Sequence, residues 1–146
     1  MFHIIDDEPM LREFLETIID DTGFSSRSFK SAEDYLCFVD SANFEKPTAI
    51  LSDISMPGMT GYDLVLEIRK IYPLQKIVLM TGDVNDAYIQ QVEKHLCYSL
   101  AKPFLPEKLI DLLTSLHTCE AAHKKNPSEK AFQGCEFSIA YSCPFH

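Results

Sequence analysis

The chain has 146 residues, 46% of them hydrophobic, which suits one compact domain with a real core and leaves no room for two. Thirteen basic against twenty-two acidic side chains give a formal net charge of −9, and with no basic patch in view this argues against direct nucleic-acid binding or attachment to an anionic membrane. No apolar run is long enough to span a membrane, Met1-Phe2-His3-Ile4-Ile5-Asp6 is no secretory leader, and five cysteines follow no disulfide rhythm, so reduced thiols and a cytoplasmic location are expected.

In chain order, Phe2–Asp6 reads as a short apolar strand ending in acid. Pro9 then opens a helix with Met10, Leu11, Phe14, Leu15, Ile18 and Ile19 at helical spacing, closed by Gly23. Phe24–Phe29 is a weak second strand, and Ser31 caps a second helix carrying Ala32, Tyr35, Leu36 and Val39. Thr48–Asp53 is a third strand, again ending in acid. After the Met56-Pro57-Gly58 turn, Thr60 and Asp63 resemble a capping box for a helix using Leu64, Val65, Ile68 and Ile71. Lys76–Met80 is the fourth strand, Asn85–Lys94 the fourth helix and Cys97–Ala101 the fifth strand. Leu105, Leu109, Leu112, Leu113 and Leu116 line the fifth helix. Cys37 and Cys97 fall inside these elements and read as small core residues, His3 as a packed histidine and His95 as a solvated one.

Residues 1–117 hold ten basic and nineteen acidic side chains, while 118–146 hold three of each and include Lys124-Lys125-Asn126-Pro127-Ser128. A domain is therefore placed at 1–117 and a tail at 118–146. Glu136–Ser142 alternates at period two, which suggests a docking strand, with a disordered tail as the alternative. Within the domain, strands apolar on both faces alternate with helices. That implies a parallel sheet covered on both sides, and five units make an open doubly wound (βα)₅ α/β sheet, for which 2-1-3-4-5 is a common strand order.

Ligands of such sheets bind beyond the carboxyl ends of the strands, where strand order reverses. Four of those ends are polar: Asp6-Asp7, Asp53, Thr81 and Lys102. Strands one and three are then neighbours, about 4.8 Å apart, so their acids can share one cation. Carboxylates that close cannot all stay ionised without compensation, and Mg²⁺, a hard ion taking oxygen ligands, supplies it while keeping positions for water or phosphate oxygens. Lys102 adds a positive point charge and Thr81 a hydroxyl. This is the set that phosphoryl transfer onto Asp53 requires.

Together, Ile5-Asp6-Asp7-Glu8, Ser52-Asp53-Ile54-Ser55-Met56-Pro57-Gly58-Met59-Thr60-Gly61, Met80-Thr81-Gly82-Asp83 and Ala101-Lys102-Pro103-Phe104 resemble the receiver domain of two-component response regulators, over residues 1 to 117. The resemblance implies a flavodoxin-like receiver fold and a phosphoprotein of phosphorelay signalling. Asp53 would form the aspartyl phosphate, Asp6 and Asp7 would hold Mg²⁺, and the backbone carbonyl of Ser55 would complete the metal site. Thr81 matches the switch hydroxyl, Lys102 the lysine that pairs with the phosphoryl group, and the Lys102-Pro103 bond would be cis. The implied partners are a histidine kinase or phosphotransfer protein and a downstream protein target, with room for a homodimer. One departure stands out. The family usually carries an aromatic three residues before its lysine, and here Ser99 stands there, with Tyr98 one place earlier.

On this reading the chain is a switch that takes part in its own phosphorylation and dephosphorylation, not an enzyme. Two alternatives belong to other classes. An aspartyl-phosphate phosphatase of the haloacid dehalogenase type also uses Asp, Thr, Lys and Mg²⁺, but wants an acid two residues past its nucleophile, where Ser55 stands. A phosphate-independent scaffold would keep the fold without the switch, and Ser99 is the feature that favours it.

Overall fold

The computed structural model describes residues 1–82 and 87–125. Within these residues ten strands and α-helices alternate as five strand-then-helix pairs: β1 (Phe2–Ile5), α1 (Pro9–Asp21), β2 (Ser26–Phe29), α2 (Ala32–Val39), β3 (Ala49–Asp53), α3 (Gly61–Ile71), β4 (Ile77–Thr81), α4 (Ala87–Val92), β5 (Tyr98–Ala101) and α5 (Pro106–Lys125). The strands form one parallel sheet in the order β2-β1-β3-β4-β5, as expected.

Successive strand residues face opposite sides, and both sides are apolar. Phe2, Ile4, Ala49, Leu51, Val78, Met80 and Leu100 meet α1 and α5 through Leu15, Ile19, Leu109, Leu112 and Leu113. Ile5, Ile50, Ile77 and Leu79 meet α2, α3 and α4 through Tyr35, Val39, Leu64, Ile68, Ile89 and Val92. Burial on both faces is why these strands read as unbroken apolar runs rather than alternating ones.

The caps are where the residue types place them. Ser31 accepts from the Asp34 N–H, and Thr60 and Asp63 bond each other's backbone N–H as a full capping box. Several sequence expectations need correction. Met10 and Phe14 belong to the apolar stripe of α1 yet stand 84% and 42% exposed, because only the inner half of that stripe reaches the sheet. Cys37 is exposed, not a core residue: on α2 the core face is taken by Tyr35, Phe38 and Val39, and at about 100° per residue position 37 turns outward. The fourth helix ends at Val92 and tightens into a 3₁₀ turn at Glu93–His95. The boundary set at 117 falls inside α5, which continues to Lys125. The alternating segment 136–142 lies outside the described residues, as does most of the expected tail.

Candidate functional site

Because β1 and β3 are adjacent with Ile5 opposite Ser52, the residues that follow, Asp6 and Asp53, stand side by side at the carboxyl edge. Ligand oxygens of Asp6, Asp7 and Asp53 lie within 4.8 Å of one another. Asp6 is fully buried, Asp53 is 5% exposed and Thr81, at the end of β4, is 4% exposed. From the β5 side, Lys102 Nζ reaches Asp53 Oδ1 at 3.0 Å and Asp6 Oδ2 at 3.6 Å. The structure thus brings Asp6, Asp7, Asp53 and Lys102 into one cluster. Ser55 follows two residues after Asp53 on the connecting loop, its side chain exposed, so only its main chain is in question for the site. The Lys102-Pro103 bond is cis, as the resemblance implied.

Local bonding orients the acids. Asp6 Oδ1 accepts the Glu8 N–H at 2.8 Å, and Asp53 Oδ1 accepts the N–H of Ile54 at 2.9 Å as well as the Lys102 ammonium. Asp6 Oδ2 is buried without a hydrogen-bond donor. Burial pushes the Asp6 carboxyl above its ordinary range. The Glu8 N–H and Lys102 pull it back down, and the neighbouring Asp53 and Asp7 push it further up. A buried acid oxygen without a donor, among three carboxylates and no soft ligand, fits a hard divalent cation.

Two contributors escaped the sequence reading. Arg12 Nη1 donates to the Asp6 backbone carbonyl at 2.6 Å and so holds the β1–α1 turn. Its signal was available, since a cation in the opening turns of a helix opposes the helix dipole and calls for a reason. Gly61 is the other: a Cβ there would collide with the Asp53 carbonyl and press on Ile54 Cα, so glycine lets the start of α3 close under the phosphoacceptor candidate. The structure also settles the geometry of the Ser99 departure. Ser99 is 7% exposed on β5, and its neighbours Tyr98 and Leu100 pack with the α1 and α5 cluster. Tyr98, with the Lys108 ammonium 5.3 Å from its ring centre, therefore lies on the opposite face of the sheet from position 99 and does not replace an aromatic there.

A sequence model described as the response regulator receiver domain matches residues 2–114. The chain is 31% identical over 111 residues to the DNA-binding transcriptional regulator NtrC of Klebsiella pneumoniae, a match covering 75% of this chain and 23% of that protein. It is 29% identical over 114 residues to the chemotaxis protein CheY of Thermotoga maritima, covering 77% of this chain and 93% of that one. Among solved structures, CheY4 of Vibrio cholerae superposes with a TM-score of 0.70 at 25% identity, over 79% of this chain and 96% of that one. The response regulator TrrA of Thermotoga maritima, solved in complex with Mg²⁺ and BeF, gives 0.67 at 26% identity over the same shares. The chain belongs to the response regulator receiver domain family. It spans less than a quarter of the length of the NtrC proteins it matches. Among the described residues no helix is long and apolar enough to cross a membrane.

Proposed function

We propose that this chain is a phosphorylation-driven switch that takes a phosphoryl group on Asp53 from a histidine kinase or phosphotransfer protein, with Mg²⁺, and changes its affinity for a downstream protein. The observation that carries this is the single cluster in which three acid side chains converge within 4.8 Å while Lys102 stands 3.0 Å from Asp53. The Mg²⁺ and BeF bound in TrrA support the same ligand chemistry here.

Both Lys102 and the Ile54 N–H bond Asp53 Oδ1, which leaves Oδ2 without a donor among the described residues. That oxygen is the nucleophile. Transfer forms an O–P bond there and breaks the donor's N–P bond, whose electron pair stays with the imidazole. Lys102 pairs with the phosphoryl oxygens as Asp53 Oδ1 becomes part of an acyl phosphate. Asp6 and Asp7 would hold the metal with Asp53 and the Ser55 carbonyl, and when bound it supplies positive charge to the transferring group. Thr81 offers its hydroxyl from the adjacent strand. The chain stays a switch rather than an enzyme, because the phosphoryl group ends on its own side chain. Near the site, Leu11, Phe14, Pro103 and Phe104 line an apolar cleft beside Lys102, and Met10 and Leu105 stand 84% and 71% exposed. This patch gives a protein donor a surface to rest on.

The test is capture of beryllofluoride, followed by calorimetry or fluorine NMR. The parent should bind it only with Mg²⁺ present, and Asp53→Asn should not bind it at all. Binding without Mg²⁺, or undiminished binding by the variant, would overturn the assignment.

A further inference from the structure

The loop from Ile54 to Thr60 connects the phosphoacceptor candidate to α3 and carries Ser55. It is closed at its neck by the Gly61 N–H, which donates to the Ile54 carbonyl at 3.0 Å. At its tip the Met59 N–H donates to Glu33 Oε1 at 2.7 Å, a bond between residues 26 apart in the chain. Gly58, beside that tip, has φ of +78°, and a Cβ on it would come within 2.5 Å of the same Glu33 oxygen. Glycine at 58 therefore serves two needs, the left-handed turn and the approach of the carboxylate. The Met59 N–H holds the Glu33 carboxyl below its ordinary range, so the acceptor is a full carboxylate under ordinary conditions. Apolar contacts hold the rest of the loop: Met56 is buried and Met59 packs at the edge of the core.

An acid in the first turn of a helix needs no partner, because the dipole already favours it. Glu33 is such an acid, yet its oxygen reaches out of its own helix to a loop of the site. We propose that Glu33 is a positioning residue that fixes the tip of the Ile54–Thr60 loop and thereby the placement of the Ser55 carbonyl toward the metal held by Asp6, Asp7 and Asp53. This rests on the metal-dependent reading above. Glu33 touches neither the metal nor the phosphoryl group. It acts through the backbone of Met59.

Mg²⁺ titration of the full chain by calorimetry tests it, with Glu33→Ala, Glu33→Gln and the parent compared. Outer-shell partners of ligands commonly alter affinity by tenfold or more, so Glu33→Ala should bind Mg²⁺ about tenfold more weakly than the parent. Glu33→Gln loses the same charge but keeps an acceptor oxygen, so it should stay near the parent. That comparison separates positioning from long-range attraction. Amide exchange at Met59 should speed up in Glu33→Ala while its unfolding midpoint stays put, because the bond is on the surface. Equal Mg²⁺ affinity in Glu33→Ala and the parent would overturn the proposal, as would Glu33→Gln binding as weakly as Glu33→Ala. A parent with no Mg²⁺ affinity would instead overturn the metal-dependent reading on which it rests.

Discussion

Lys102 bonds Asp53 at 3.0 Å and stands 3.6 Å from Asp6, yet its side chain is 22% exposed. Its charge therefore works at the mouth of the site and not in the core. Lys102→Ala should fold normally and lose most of its beryllofluoride-induced protection from amide exchange, and an undiminished response would contradict its role. Asp7→Ala should lose Mg²⁺ affinity by titration calorimetry, since it removes one of three converging carboxylates. His3 gives a different kind of prediction. It is fully buried, with Nδ1 3.0 Å from the Tyr35 hydroxyl, Nε2 without a partner, and the rings of Phe29, Phe38 and Phe44 around it. Burial, with help from the amino terminus and Arg27, lowers its pKa from 6.5 to about 4. The unfolded chain thus binds a proton that the folded chain refuses between these values. The His3 contribution is complete above pH 6.5, falls as pH drops through that window and levels off below it, by about 3 kcal/mol in all. Urea midpoints at pH 7.5 and 4.5 check this: the parent should lose more stability than His3→Phe, and equal losses would contradict it.

At the scale of elements, the strands and the caps at Ser31 and Thr60 were legible because two-sided apolar runs and capping boxes are local signals. The end of α5 was not. Past Leu116 the helical spacing continues, but through residues that are not large hydrophobics: Cys119 is buried, His117 packs 4.9 Å from Phe24, and Glu120 bonds Lys76 at 2.7 Å. Lys76 is 2% exposed, a buried ammonium whose partner sits 44 residues away, and no window of sequence shows such a pair. Removing Glu120 takes the opposite charge away from a buried ammonium, so Glu120→Ala should lower unfolding free energy by about 3 kcal/mol, while Lys76→Met combined with Glu120→Leu should recover most of it. Denaturant titration decides, and an unchanged midpoint in Glu120→Ala would contradict the account. The Glu33 tether escaped notice for the same reason, since it joins two elements through one backbone N–H. Position 99 shows the opposite case. The missing aromatic was legible, but only the sheet's alternation shows that Tyr98 faces the other side.

For the whole molecule, five strand ends delivered to one edge explain why so little of the chain carries the chemistry. Asp6, Asp53 and Lys102 are far apart in sequence and meet only because the order β2-β1-β3-β4-β5 sets β1 against β3 and brings the end of β5 to the same edge. The acids were legible as strand-ending charges that a buried position would otherwise exclude. Their exact spacing, the donor-free Asp6 oxygen and the bracing by Arg12 were not, because they depend on how turns bend after the strands stop. The central claim is that this arrangement makes Asp53 accept a phosphoryl group with Mg²⁺. Intact mass after incubation with acetyl phosphate and Mg²⁺ tests it most directly. The parent should gain one phosphoryl group, and Asp53→Asn, or the parent with the metal chelated, should gain none. A parent of unchanged mass, or a variant that gains the group as readily, would contradict the account.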